Sequence, residues 1–392
     1  MIDLNIAQQY MRTAGIDAWL LYDFRGSNPI FWQVLGGKKH TTRRCFLLIP
    51  REGASQLIVN PLDADLFADS GISLVRYVGW HDLHATLRSA LSGYARVAME
   101  YSPGAAIPVM AHVDAGTIEL VRSLGVEVVS SAGLYQQAAA RWSDESYNLH
   151  ISACRLADQI KDSAFRFIGE AISAGRSIGE YDVQQFIMSE FAKNSLETDE
   201  PPIVGVNANS GNPHYTPTAN KSAPIRRGDW VLIDLWAKHP GEQAVFADIT
   251  WTGIVAPAPR PEHVKIFEIV TRARDAVVER VRQAWQAGET LMGWQLDRVS
   301  RGVIEQAGYG DRFFHRTGHS MGPAETPHAL GVNLDDLETH DTRPVVPGVG
   351  FSVEPGIYLP EFGVRSEIDV YIHPKNGPTV TTPMQRAIIC VG

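Results

Sequence analysis

The pattern of apolar and polar positions changes character near residue 140. Before that point, short apolar runs alternate with helix-like segments. Ala18-Trp-Leu-Leu-Tyr22, Arg44-Cys-Phe-Leu-Leu-Ile49 and Gln56-Leu-Ile-Val59 are followed by Asp23, Pro50 and Asn60, as short strands often are. Residues 85–91 and 113–124 read as helices, the second stopping near Gly125 ahead of a strand over 126–129. This alternation predicts an α/β domain with a mostly buried sheet. Beyond it, Ser143-Asp-Glu-Ser146 is a strong helix N-cap with acidic residues in its first turn. A mostly helical stretch runs from there to about 195, interrupted at Gly175 and at Ile178-Gly179. The domain boundary is therefore expected near Trp142. A strand over 203–206 and a polar loop over 207–215 come next. Pro261 opens an amphipathic helix whose Ile266, Val270, Ala273, Val277, Val281 and Ala284 share one face, and Gly288 ends it. A shorter helix over 296–307 stops at Gly308.

Two segments within this second part read as hairpins that carry carboxylates. In the first, Asp234 and Asp248 flank Pro240-Gly241, inside the apolar frame Val231-Leu232-Ile233 and Ile249-Thr250-Trp251. If the strands fold back at Gly241, the two aspartates lie roughly opposite each other. In the second, Glu354 and Glu367 are placed symmetrically about Pro360-Glu361 and can also face each other. Facing residues on an antiparallel ladder have Cβ atoms about 4.5–5.5 Å apart. Carboxylates that close repel unless a cation sits between them. Four of them, with the histidine of Thr317-Gly318-His319-Ser320, suit a two-metal hydrolytic site, whose ions lie about 3.5–4 Å apart. The two hairpins apart, the chain shows neither an internal repeat nor a low-complexity segment.

Composition narrows the picture without redirecting it. The 392 residues are enough for two domains, each with its own core, and 44% hydrophobic with 20% charged residues is ordinary for globular chains. A formal net charge of −9 argues against nucleic acid as a partner. The densest basic cluster, Lys38-Lys39-His40-Thr41-Thr42-Arg43-Arg44, reads as a solvated loop. His81 and His84 are spaced like a chelating pair but lack neighbouring ligands, so surface or capping roles are expected. The acidic run Asp335-Asp336-Leu-Glu338 reads as a solvated face. Cys45, Cys154 and Cys390 form neither a disulfide framework nor a CxxC motif, and read as buried apolar thiols of a reducing cytoplasm. The N-terminal stretch, Met1-Ile-Asp-Leu-Asn-Ile-Ala-Gln-Gln9, has no charged segment followed by an apolar one, so no leader is expected. No apolar run approaches the roughly 20 residues of a membrane span, so no membrane partner is expected.

The blocks Gly318-His319-Ser-Met-Gly322, Ser352-Val-Glu354-Pro-Gly-Ile-Tyr358 and Phe362-Gly-Val-Arg-Ser-Glu367 resemble the metal-binding motifs of the Xaa-Pro peptidase family. That family includes prolidases, aminopeptidases P and methionine aminopeptidases, which share the pita-bread catalytic fold. The resemblance covers about 145–392, with ligands in the family's order Asp, Asp, His, Glu, Glu. Through Ala14-Gly-Ile-Asp-Ala-Trp-Leu-Leu-Tyr22, the N-terminal part is similar to the cap domain of prolidases and creatinases. It implies an α/β domain over 1–138 followed by an α+β pita-bread metallopeptidase domain over 142–392.

The resemblance also implies roles. Asp234 would bind one metal ion, Asp248 and Glu367 would bridge two, and His319 with Glu354 would complete the second. Manganese leads as the ion, with zinc or cobalt as alternatives, since affinity order alone does not choose. A hydroxide between the ions would be the nucleophile and Glu354 the proton shuttle. His328 would stabilise the tetrahedral intermediate, and His214 would line the pocket on the opposite side. Arg365 would orient carboxylates or hold a substrate carboxylate. Three features depart from the family: a longer first hairpin, an enlarged loop over 322–327, and no arginine in Ala329-Leu-Gly-Val-Asn333. The expected substrate is a short proline-containing peptide, cleaved as a dipeptide by a homodimer whose N-terminal domains cap the sites. An aminopeptidase on longer peptides, or a lyase or non-peptide amidohydrolase of the same fold, is the alternative. A metal-free binding module is disfavoured because all five ligands are present.

Overall fold

The structure, a computed structural model, describes residues 4–392. Met1 to Asp3, the start of the stretch read as lacking a leader, lie outside the described residues. These divide into two compact units, one ending at Ala140 and the other spanning Arg141–Gly392. Among the described residues, no helix is long and apolar enough to cross a membrane.

The first unit is built on a mixed six-stranded sheet. Its central strand Ala18–Phe24 pairs antiparallel with Arg44–Pro50 and parallel with Arg96–Met99. Gln56–Val59 and Ser73–Arg76 extend one side and Glu127–Ser130 the other. Leu20, Phe46, Ile58, Val97 and Met99 pack against Leu83 and Leu87 of the helix Trp80–Ala90 and Ile118 and Val121 of the helix Ala115–Ser123. The strands Ser73–Arg76 and Arg96–Met99 escape the sequence pattern, because each has four residues and begins or ends on arginine. The basic segment 38–44 is not simply solvated. Thr41 is buried and donates to Asp23, while the backbone N–H groups of Thr42 and Arg43 donate to Asp63. Its loop is pinned by buried carboxylates, which accept donors that hydropathy does not register. His81 and His84 lie on the helix Trp80–Ala90 against Trp80, as their surface reading expects. Glu100 is fully buried and accepts from Trp19 Nε1 at 2.6 Å, Asn28 Nδ2 at 2.8 Å and Ser131 Oγ at 3.1 Å.

In the second unit, the sequence signals set the helices. Ser143 Oγ accepts from Ser146 N at 3.0 Å and opens Asp144–Ser173; Glu180–Lys193 follows. Pro261–Ala287 ends at Gly288, whose φ of 66° is the left-handed conformation glycine adopts without penalty. A four-stranded sheet runs Ile389–Cys390, Ala247–Ile254, Trp230–Ala237, Ile203–Val206. A second runs Ser320–Met321, Gly350–Val353, Ile368–His373, Gly377–Val380, with a two-stranded ladder of Gly356–Tyr358 and Gly363–Arg365. Ala157, Ile160 and Ala164 of the first long helix pack on Val231, Ile233 and Ile249. Ile266, Val270 and Ala273 of the third pack around Trp230, Ile254, Ile357 and Val364. The strands bearing the carboxylates are thus held between helices.

Candidate metal centre

The aspartate strands pair in a register that sets Asp234 against Thr250 and Trp236 against Asp248. The two aspartates are therefore diagonal neighbours on one face, not direct opposites as expected from a turn at Gly241. The chain does not reverse tightly at Pro240-Gly241. A wide loop from His239 to Phe246 joins the strands and moves the register by two residues. A two-residue offset preserves the face, and diagonal neighbours about 7–8 Å apart remain within joint reach of a cation. The glutamates lie opposite each other. Val353 pairs with Ile368 and Gly356 with Arg365, so one continuous register puts Glu354 across from Glu367.

The hairpins are joined to each other. Glu367 N donates to Thr250 O at 3.2 Å, and Thr250 Oγ1 donates to Glu367 Oε2 at 2.7 Å. The same hydroxyl accepts from Arg365 Nε at 2.9 Å, while Arg365 Nη2 pairs with Asp234 and Nη1 donates to Tyr358 at 3.2 Å. Every nitrogen of the Arg365 guanidinium thus has a partner inside the protein, and it orients Asp234. His319 enters from the Thr317–Ser320 segment. A Cβ at Gly318 would overlap the Ser352 carbonyl oxygen, so only glycine lets this segment approach so closely. His319 N donates to Ser352 Oγ at 2.9 Å, and its Nδ1 faces Ser320 O at 3.2 Å. Its Nε2 then looks toward Asp248 Oδ2 at 3.4 Å and Glu354 Oε1 at 3.7 Å.

Asp248, His319 and Glu367 are buried and offer ligand atoms all within 4.8 Å of one another. Asp234 Oδ1 and Asp248 Oδ1 are buried without a hydrogen-bond partner, a costly state for a carboxylate oxygen unless something cationic meets it. Burial, and then the Asp234 carboxylate, raises Asp248 well above the usual carboxylate range. Burial and the neighbouring acids do the same to Glu367, and Glu354 is pushed up to about 8, chiefly by burial. Burial, with Arg316 assisting, lowers His319 to about 3 and so keeps its ring neutral. Bare, the ring of acids cannot all ionise; divalent cations would reverse that logic. The donor set fits hard or borderline metal ions.

His214 and His328 line the same cavity of about 480 Å³ as these five residues and Arg365, a volume ordinary for a small-ligand site. Despite the enlarged loop, the His328 ring lies 4.0 Å from that of His319. Several residues of the site escape sequence reasoning. Thr250 is one. His315 is another, half-buried between Arg316 O and Tyr358 OH at 2.7 and 2.8 Å. Asp297, on the helix Gly293–Gln306, accepts from Thr317 N at 2.9 Å and Thr317 Oγ1 at 2.7 Å and anchors the histidine segment. The polar density of His315-Arg-Thr-Gly-His319 was the available signal.

The acidic run is a solvated face only in part, with Leu337 and Glu338 exposed. Asp335 is fully buried, accepting from the backbone of Leu337, Glu338 and Thr339, and Glu338 lines the cavity. Cys45 and Cys154 are buried as expected, but the third thiol is not. Cys390 is exposed. Cys154 is buried among polar groups, its Sγ 3.3 Å from His150 Nε2 and 4.0 Å from Asp369 Oδ2. His150 Nδ1 lies 2.8 Å from Phe246 O and its Nε2 2.8 Å from Thr381 Oγ1. This is a second cluster with ligand-type chemistry, joined to the first where Asp369 Oδ2 accepts from Asp248 N at 2.9 Å.

Residues 150–374 match the model of metallopeptidase family M24. An Xaa-Pro dipeptidase of Lactobacillus helveticus is 35% identical over 211 residues, 53% of this chain and 51% of the relative. The putative dipeptidase YkvY of Bacillus subtilis is 30% identical over 267 residues, 68% of this chain and 66% of the relative. The match thus spans about half the length of the first relative. The crystal structure of dipeptidase PepE from Mycobacterium ulcerans superposes with a TM-score of 0.73 at 22% identity, covering 99% of this chain and 96% of that one. At that identity the likeness speaks to fold alone, and the fold is the expected α/β unit followed by the pita-bread unit.

Proposed function

The chain belongs to metallopeptidase family M24, and from that premise we propose that it hydrolyses the Xaa-Pro bond of short peptides, dipeptides foremost, using two divalent cations. Manganese leads as the ion, with zinc or cobalt as alternatives. Asp234 would hold one ion, His319 and Glu354 the other, and Asp248 and Glu367 would reach both. The observation that carries this reading is the convergence of four carboxylates and one imidazole on one cavity, with buried Asp234 Oδ1 and Asp248 Oδ1 unpartnered. When bound, the ions supply Lewis-acid polarisation of the scissile carbonyl and a nucleophile available at neutral pH.

The chain's own residues do the rest. Glu354, whose Oε1 lies 3.7 Å from His319 Nε2 at the cavity, is placed to take a proton and pass it to the leaving prolyl nitrogen. His328 donates a hydrogen bond to the carbonyl oxygen as charge develops there. His214 forms part of the cavity wall against the substrate. Arg365, with all its nitrogens engaged within the protein, orients Asp234. Both curated relatives are named as dipeptidases, which supports the preference for dipeptides. The same proposal includes an N-terminal prolidase-type domain over 1–138, a catalytic domain over 142–392, a homodimer, and a cytoplasmic location. Family membership and cysteines free of disulfides support it.

The test is metal-stripped protein reloaded with Mn²⁺, Co²⁺ or Zn²⁺ and offered Ala-Pro and Ala-Pro-Ala. Cleavage of the dipeptide alone is expected. Cleavage of the tripeptide moves the reading to an aminopeptidase. Metal binding without cleavage of either overturns it in favour of same-fold lyases or amidohydrolases.

A further inference from the structure

His328 sits in the loop after the metal-centre histidine and opens onto the cavity, so its hydrogen-bonding state is not fixed by burial. Something else fixes it. Arg316 Nη2 lies 3.3 Å from His328 Nδ1. A guanidinium only donates, so Nδ1 must accept. A neutral imidazole carries one N–H, which therefore sits on Nε2. Among the described residues, Nε2 has no protein partner, and the ring lines the cavity that holds the metal-centre carboxylates.

Arg316 is itself held in place. Its backbone N donates to Glu338 Oε1 at 3.0 Å, and its Nη1 lies 3.7 Å from Glu338 Oε2. Glu338 is fixed in turn by its own N–H, which donates to the buried Asp335 at 3.0 Å. We propose that Arg316, braced by Glu338, is a positioning residue that fixes His328 as an Nε2–H donor facing the substrate carbonyl. The inference rests on the hydrolytic reading above, because a donor is useful there only where an acyl oxygen gains charge. It assigns a purpose to the acidic turn at 335–338, whose Glu338 braces Arg316.

Two readouts test it, on full-length protein. With manganese-loaded enzyme and Ala-Pro, His328→Ala lowers kcat by about 10²–10³-fold, and Arg316→Gln by about 10–100-fold with KM little changed. The double variant is no slower than His328→Ala alone. Multiplying effects in the double variant would overturn the proposal. The second readout is the histidine ¹⁵N spectrum of the zinc-loaded, diamagnetic protein, with the His328 signals identified by their loss in His328→Ala. They report the Nε2–H tautomer in the parent and lose that uniform state in Arg316→Gln. An unchanged tautomer in Arg316→Gln would also overturn it. If the parent cleaves no peptide, the hydrolytic reading has failed, and the spectrum still decides the tautomer separately. A near-native Tm for each variant excludes unfolding as the cause.

Discussion

Replacing Thr250 by valine removes one hydroxyl and keeps the shape of a fully buried side chain at the junction of the two hairpins. That hydroxyl donates to Glu367 Oε2 at 2.7 Å and accepts from Arg365 Nε at 2.9 Å. Both partners are charged in the metal-loaded state, and each such bond contributes about 1.5–3 kcal/mol. Losing both, about 3–6 kcal/mol, from a unit of this size lowers Tm by roughly 6–24 °C. Glu367 also loses the bond that fixes its rotamer, and outer-partner losses of this kind weaken metal affinity by about 10–100-fold. The assay is a titration of stripped protein with Mn²⁺, read by calorimetry and by Ala-Pro hydrolysis against free metal. Thr250→Ser keeps the hydroxyl and should recover most of the affinity, while Thr250→Val should not. Equal metal affinity for the valine variant and the parent would refute the idea that this hydroxyl holds the two hairpins in ligand geometry.

Gly318→Ala should abolish activity and destabilise the chain markedly, because its Cβ would overlap the Ser352 carbonyl oxygen; thermal melts and hydrolysis check both. Metal-stripped protein should lose stability as pH rises. Glu354 has a folded value of about 8 against an ordinary 4.5, and Asp248 and Glu367 shift the same way. The folded apo state therefore binds more protons, so its extra stability is full below about pH 4.5 and is lost on the way to 8. Melts of stripped and reloaded protein across that window should diverge, with the reloaded curve flatter. Glu100→Gln should destabilise the N-terminal unit by about 1–3 kcal/mol, since an amide nitrogen would face one of the donors Trp19, Asn28 or Ser131. Urea unfolding followed by tryptophan fluorescence would measure it.

How much was legible follows from how local each signal is. The helices opened by Ser143 and Pro261 and closed at Gly288 depend on a few adjacent residues, and they form as the pattern predicts. The glutamate pairing was legible because the register through Pro360-Glu361 has no slack. The aspartate pairing was misjudged by two residues, because a wide loop hides the turn position while the strand period of two still protects the shared face. Thr250, His315 and Asp297 carry no motif. Their importance comes from partners 117, 43 and 20 residues away, which no local window contains. Asp335 looked solvated because acidic runs usually are; its burial becomes visible only with the turn it caps.

The first long helix of the second unit touches the end of its sheet system: His150 meets Thr381 across 231 positions of chain. The ligand strands lie between those two points in sequence. Contacts that distant form slowly and late, and a chain emerging from a ribosome at about 5–20 residues per second gains Asp369 only 121 residues after the Asp248 it braces. The candidate metal centre thus cannot form when its first two carboxylates emerge. A nascent chain holding Asp234 and Asp248 still lacks Glu367 and the strand that braces Asp248, so the candidate site stays incomplete until Glu367 and Asp369 have emerged.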